Sequence, residues 1–345
     1  EIVQRQGTVI SAALLGAIAG SGALPFAGHC LRNLLSSGGS APANLAAFDE
    51  SFRRAQPGGV EEYEPPTAEP FTLPPAINAL GDRWLPRIAD LPETLHETAY
   101  YSINRLIDYQ DEAYADEWLS RLSAVIDCDS DLESHALSRE TGRYLALWMA
   151  FEDIPRVAQL KVRPDREAMI RSEVKAAPEQ PVTVAEYFHP RVEEVAALLP
   201  ERWGRALLGS ATASGWLGRL LGPRTLRTDR VGMQLILRCL AGLRRFRRST
   251  LGYAHERHMI DRWYDAVLSA KTHETALAIA ALGGMVKGYG ETRHRTTLRL
   301  MQILDYLEQS AESDANTIAS LRLAAMTPDS RFEIDDITLP NPEHA

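Results

Sequence analysis

The sequence predicts a mainly α fold, a multi-helix domain behind a short N-terminal region, and three observations carry that prediction. Apolar residues recur at helical spacing through most of the chain after residue 76. A charge-free run of small and aliphatic residues lies near the start, and a Pro/Glu-rich stretch separates it from the rest. Composition agrees: the chain has 345 residues, 45% of them hydrophobic and 24% charged, which is ordinary for a soluble globular protein with a real core.

The opening EIVQRQGTVI, without an initiator methionine, reads as the interior of a longer chain. Residues 8–26, TVISAALLGAIAGSGALPF, carry no charge and are long enough for a membrane span to be weighed. Ser11, Ala12, Ala13, Gly16, Ala17 and Gly20 instead suit close packing of a buried helix against a sheet or a partner chain. Gly20-Ser21-Gly22 ends that helix early. A secretory signal would need a basic leading segment and a small-residue cleavage site, and neither is evident. A second helix is expected over 43–54.

Residues 56–75, QPGGVEEYEPPTAEPFTLPP, cannot build a core and read as an extended linker. The domains predicted are therefore 1–55, the linker 56–75, a helical domain over 76–327 and an acidic tail over 328–345. Within the helical domain, Leu95, Ala99, Ile103, Leu106, Ile107, Tyr114, Trp118, Leu119 and Leu122 mark an amphipathic helix or helix pair over 95–126. Further helices are expected over 133–150, 165–176, 191–199, 230–249, 254–270, 273–287 and 295–309, with one more before the tail. Residues 182–188 fit a short strand. Pro178, Pro181 and the stretch 209–223 read as breaks.

Net charge is −9, so bulk electrostatics disfavour nucleic acid and anionic membrane, and any anion site must be a local basic patch. Cys30, Cys128 and Cys239 are odd in number and far apart. They fit buried thiols in a reducing cytoplasm and leave no CxxC for a zinc ribbon or iron–sulfur cluster within this chain.

Two segments concentrate cations. In RCLAGLRRFRRS, residues 238–249, one helix face would hold Leu235, Ile236, Cys239, Leu240, Leu243 and Phe246, with Arg244, Arg245, Arg247 and Arg248 largely on the other. Guanidinium forks suit phosphates and carboxylates, and a solvated face paired with nearby acids is the structural alternative. In MVKGYGETRHR, residues 285–295, Gly288 and Gly290 suit a left-handed helix terminus. The same turn, with Lys287, Tyr289, Arg293 and Arg295 around exposed amides, suits an anion. The candidate anion or partner site is thus Arg244, Arg245, Arg248, Lys287, Tyr289, Arg293 and Arg295.

Two other groupings read as structural. His255, Glu256 and His258 lack HExxH spacing and fit a polar helix surface, so no metal ligand is assigned. Asp108, Asp111, Glu112, Asp116 and Glu117 spread around the polar side of 106–122 and can pair with Arg105 and Arg121. No nucleophile elbow appears, and no catalytic residue is assigned.

In order along the chain, GTVISAALLGAIAGSGALPF with NLAAF resembles the end of the gamma-type domain of 2-oxoacid:ferredoxin oxidoreductases. LIDYQDEAYADEWLSRL, VTVAEYFHPRVEEVAALLP, RCLAGLRRFRRSTLGYAHERHMIDRW and MVKGYGETRHR resemble the C-terminal extension of the indolepyruvate ferredoxin oxidoreductase beta subunit. The resemblance runs from Gly7 to about Glu308. It implies that residues 1–55 are the C-terminal helices of a truncated α/β, gamma-type domain. It also implies a heteromeric cytoplasmic complex that oxidatively decarboxylates an aryl 2-oxo acid to its acyl-coenzyme A, with electrons passing to ferredoxin. Thiamine diphosphate, iron–sulfur clusters and coenzyme A would belong to that complex, and the thiamine-binding alpha subunit and ferredoxin would be partners. No nucleic acid or membrane partner is implied. Gly81-Asp82 is followed by Arg83, not by the glycine of a GDG diphosphate motif, so an assembly or docking domain without a catalytic centre is expected. A module that binds an anion or acidic partner through Arg244–Arg248 and the Lys287–Arg295 turn is the alternative, and a ligand-free helical scaffold is a third reading.

Overall fold

The computed structural model describes residues 2–8, 10–37, 42–56, 58, 70–188, 190–222, 224–288, 290–310, 314–327 and 332. Most of the linker stretch, Tyr289 and the tail apart from Phe332 therefore lie outside the described residues. The described residues are mainly helical, with eighteen α-helices and one two-stranded sheet, in two compact units, 1–70 and 71–345.

The first unit holds α1 (Ile2–Gln6), α2 (Ile10–Gly20), α3 (Gly28–Ser37) and α4 (Pro42–Ala55). Its centre is the crossing of α2 over α4, where Ala12, Ala13, Gly16, Ala19 and Gly20 face Ala47, Phe48 and Ser51. Backbones approach so closely that a Cβ on Gly16 would lie 2.3 Å from the Phe48 carbonyl oxygen. The small residues read as a packing stripe thus meet a helix of the same unit. Arg32 clamps Asp49 with both fork nitrogens at 2.7 and 2.8 Å, and Arg5 pairs with Glu50. Substituting Gly16→Val forces α2 off α4 and is expected to destabilise this unit by about 1–3 kcal/mol. Limited proteolysis around residues 42–55 should then accelerate; an unchanged cleavage rate would refute the tight crossing.

The second unit begins with α5 (Ala79–Ala89), capped by Asn78, whose side chain accepts from Gly81 N. A 3₁₀ turn leads to α6 (His96–Tyr109), α7 (Glu112–Cys128) and α8 (Ala136–Met149). The periodic stretch 95–126 is therefore a pair, broken where Asp111 caps α7 by accepting from Tyr114 N at 2.8 Å. Next come α9 (Ile154–Lys161), α10 (Pro164–Glu173), β1 (Ala185–Phe188), α11 (Val192–Leu198), α12 (Glu201–Gly209), α13 (Ala211–Leu220), β2 (Arg224–Arg227) and α14 (Val231–Gly242). The unit closes with α15 (Leu251–Leu268), α16 (His273–Ala281), α17 (Gly290–Gln309) and α18 (Ala315–Met326).

One hydrophobic core runs through α5–α8 and α15–α18, around Trp84, Trp118, Trp148 and Trp263. Trp118 and Trp263 are fully buried, and each indole donates to a backbone carbonyl, Gly142 O and Ile279 O, at 2.9 Å. Buried Arg299 donates to Ala325 O at 2.6 Å and Thr327 O at 3.2 Å, closing the C-terminal end of α18. The segment from α9 to α14 is thinner. Its buried residues in helices are Pro155, Ala158, Ala196, Gly204 and Leu237, while Trp203, Trp216 and Tyr187 stand exposed.

Several expectations are corrected. The breaks at 209–223 contain α13, because Ser210 accepts from Ala213 N and starts a new helix directly after α12. Helices α3, α5, α9 and α12 lie where the sequence suggested none, each short or interrupted by proline or glycine. The strand expected over 182–188 spans Ala185–Phe188 and pairs, antiparallel, with β2, a strand for which the sequence carries no expectation. The expected helix over 230–249 ends at Gly242 and continues as a 3₁₀ segment, Leu243–Ser249, which changes where each arginine points. All three cysteines are free but exposed, so none is the buried thiol expected. No helix among the described residues is long and apolar enough to cross a membrane.

Candidate functional site

The acids of 106–122 are engaged one by one, mostly by arginines from other elements. Asp108 accepts from Arg156 at 2.8 Å and Arg163 at 2.6 Å; partial burial opposes its ionisation, but those two hydrogen bonds hold its carboxyl below the usual range. Glu112 accepts from Arg83 at 2.7 Å and from the Trp84 indole at 3.0 Å, and is lowered chiefly by Arg83. Asp116 pairs with Arg87 at 2.7 Å, and Glu117 with Arg257. Of the two partners expected, Arg121 approaches Glu117 only at 3.8 Å and is held by Asp261 at 2.5 Å; no ion pair to Arg105 occurs among the described residues. Side chains from distant helices outcompete those one turn away because they arrive with better geometry.

The first basic segment divides. Arg247, placed on the solvated face by helical spacing, is buried. Its guanidinium grips Asp153 through Nε at 2.6 Å and Nη2 at 3.1 Å, and donates from Nη1 to Tyr109 O at 2.8 Å and Gln110 Oε1 at 2.7 Å. It also lies 3.8 Å from the Tyr109 ring centroid. Burial raises the Tyr109 phenol, and its hydroxyl has no hydrogen-bond partner among the described residues. Arg248 reaches Asp111 at 3.3 Å and sits over the Tyr114 ring. Arg244 and Arg245 are exposed, and among the described residues Arg245 donates only to Gly242 O at 3.1 Å.

The apolar face of this segment is corrected too. Leu237 is buried where α14 packs on α9, whereas Leu235, Ile236, Cys239, Leu243 and Phe246 are exposed. The helix is apolar on two sides, and the chain covers one of them.

At the second segment Gly288 and Gly290 have φ of +77° and +54°, the left-handed values that glycine accepts without a Cβ clash. The preceding helix stops earlier than its apolar run suggests, passing into a 3₁₀ turn at Leu282, and α17 begins at Gly290. Arg293 is not free: it donates to Glu256 at 2.7 Å. Lys287 and Arg295 are exposed, and Tyr289 lies outside the described residues. Arg191, a residue that sequence reasoning passed over, lies against Gly290, with Nη2 3.2 Å from where a Cβ would be. No hydrogen bond or ion pair joins 243–249 to 285–295 among the described residues; Arg248 turns to Asp111 and Arg293 to Glu256.

His255 and His258 are exposed, and Glu256 between them is committed to Arg293. Another polar cluster surrounds buried Asp129, which accepts from Ser138 N at 2.9 Å, Ser138 Oγ at 2.7 Å and Asp131 N at 3.1 Å, with His273 Nδ1 3.6 Å away. These bonds cap α8. Gly81 and Asp82 lie in the first turn of α5, with Arg83 committed to Glu112, rather than in a diphosphate loop. Three exposed, widely separated cysteines cannot by themselves supply the four thiolates of a cluster.

Among known families, one described as a family of unknown function (DUF6537) matches residues 95–306. No curated protein and no solved structure matches the chain.

Proposed function

The chain belongs to the DUF6537 family, whose description carries no activity, and we propose that it is an assembly domain of a cytoplasmic 2-oxoacid:ferredoxin oxidoreductase. In that role it is the helical part of an indolepyruvate-type beta subunit, without a catalytic centre of its own. Thiamine diphosphate, the iron–sulfur clusters and coenzyme A then reside on other polypeptides, with the thiamine-binding subunit as the direct partner and ferredoxin reached through the complex.

The observation that carries this reading is the outer face of α2. Ile10, Leu14 and Ile18, spaced four residues apart, are 64%, 53% and 44% exposed. They form an apolar stripe on the side away from α4, as a helix built to be covered on both sides would. The pairing of the 106–122 acids supports it as well, since charges locked in ion pairs hold helices rather than move protons.

Co-expression with a thiamine-binding subunit tests the proposal. The two chains should co-purify, and Leu14→Glu with Ile18→Glu should abolish co-purification while circular dichroism stays helical. A holoenzyme that assembles and turns over an aryl 2-oxo acid without these residues would overturn it.

A further inference from the structure

Residues 200–250 carry eleven arginines and no lysine against only Glu201 and Asp229, within a chain of net charge −9. Both of those acids are already paired, with Arg205 and Arg227. Arg247 and Arg248 are also paired, with Asp153 and Asp111, which leaves Arg238, Arg244 and Arg245 along α14 and the 3₁₀ segment after it, where uncovered apolar side chains also lie. Val231 is 78% exposed, Leu235 59%, Ile236 52% and Phe246 59%. Val231, Leu235 and Arg238 share one helical face by their spacing of four and three residues. Arg230 precedes that face, and Arg244 and Arg245 follow it. Among the described residues, neither Arg238 nor Arg244 donates to a carboxylate, and Arg245 reaches only a carbonyl. Arg247, locked inward, anchors the 3₁₀ segment that carries Arg244 and Arg245.

We propose that this face is a docking site for an acidic protein surface with an apolar centre. Leu235 and Ile236 would fill that centre, and Arg238, Arg244 and Arg245 would meet carboxylates at its rim. Protein interfaces favour this makeup, with arginine and large apolar residues enriched and lysine depleted. Guanidinium forks match carboxylates in a way that lysine does not. A second copy joined by a two-fold axis would set these arginines against their own counterparts, so like charges oppose self-pairing. Nucleic acid fits this face less well, because Val231, Leu235 and Ile236 are aliphatic and Phe246 alone among the four named offers a ring for a base to stack on. The inference concerns a different surface from the α2 stripe and stands whether or not the assembly role holds.

The test uses the whole chain and a fluorescein-labelled acidic amphipathic peptide, a helix of Glu and Leu in heptads. A scrambled peptide of the same composition, single-stranded DNA and phosphatidylserine vesicles are run beside it, with binding read by anisotropy or co-sedimentation. The ordered peptide should bind best, and affinity should fall steeply as NaCl rises from about 50 to about 300 mM. Arg238→Glu with Arg244→Glu and Arg245→Glu should weaken it by about tenfold or more, as should Leu235→Gln with Ile236→Gln. All five side chains are exposed, so the variants keep their helicity. Failure of the peptide to bind, equal binding of the scrambled peptide, tighter binding of DNA or vesicles, or indifference to both variants would each overturn the proposal.

Discussion

Replacing Arg247 by methionine is expected to destabilise the second unit by about 3–5 kcal/mol, the cost of breaking one side of a buried ion pair. Arg247 is 2% exposed and satisfies three separate groups, Asp153, Tyr109 O and Gln110. Methionine restores much of the volume but leaves the Asp153 carboxylate and the Tyr109 carbonyl without their donor. Asp153 keeps its role as cap of α9, accepting from Arg156 N at 2.7 Å, so that helix should survive while the junction loosens. Two measurements separate these effects. Urea unfolding should show the loss of stability, and hydrogen exchange should show lost protection around 243–250. Adding Asp153→Asn should recover part of the stability, because the orphaned charge is then gone. A loss smaller than about 1 kcal/mol would mean that water replaces the guanidinium, and the pair would count as surface-like.

Trp263→Ala should cost about the same, roughly 3–5 kcal/mol, by a different route. The indole is fully buried, its ring centroid lies 4.7 Å from that of Trp148, and its Nε1 donates to Ile279 O. Alanine leaves a cavity between α15, α8 and α16 and strips the carbonyl of its donor. For a unit of this size each kcal/mol moves the melting point by about 2–4 °C, so a fall on the order of 10 °C is expected. Trp263→Phe keeps most of the apolar contact and loses the hydrogen bond, and should fall between the two. Near-ultraviolet circular dichroism during thermal unfolding reads both variants. Equal melting points for Trp263→Ala and the parent would contradict a single core through these helices.

How much of this was legible beforehand depends on the range over which each feature is decided. The helices over 96–128, 136–149 and 251–268 follow from apolar spacing within one or two turns, and the structure has them close to their expected bounds. The turn at Gly288 and Gly290 is local as well, since a positive φ is a property of single residues. Helices such as α5, with Pro86 inside it, and α13, with Gly215 and Gly218, escaped notice because breakers outweigh periodicity in a short window. The candidate site was harder to read. Of its cations, Arg248 and Arg293 are engaged by Asp111 and Glu256, and Arg244, Arg245, Lys287 and Arg295 are exposed with no acidic partner among the described residues. Arg238, in the same run, lay outside the candidates because charge density was weighed without the face it occupies.

By itself, then, the sequence determined a mainly helical chain, most of its long helices and the glycine turn, because hydrogen bonds from i to i−4 and backbone sterics act between near neighbours. Only the tertiary structure decided which arginine goes inside, which acid meets which cation, and which side of α14 is left open to solvent. Arg247 and Gln110 are 137 residues apart, and Arg257 and Glu117 are 140 apart. Burial and charge pairing over such separations depend on how helices pack, and an amphipathic pattern marks a face as apolar without saying what will cover it.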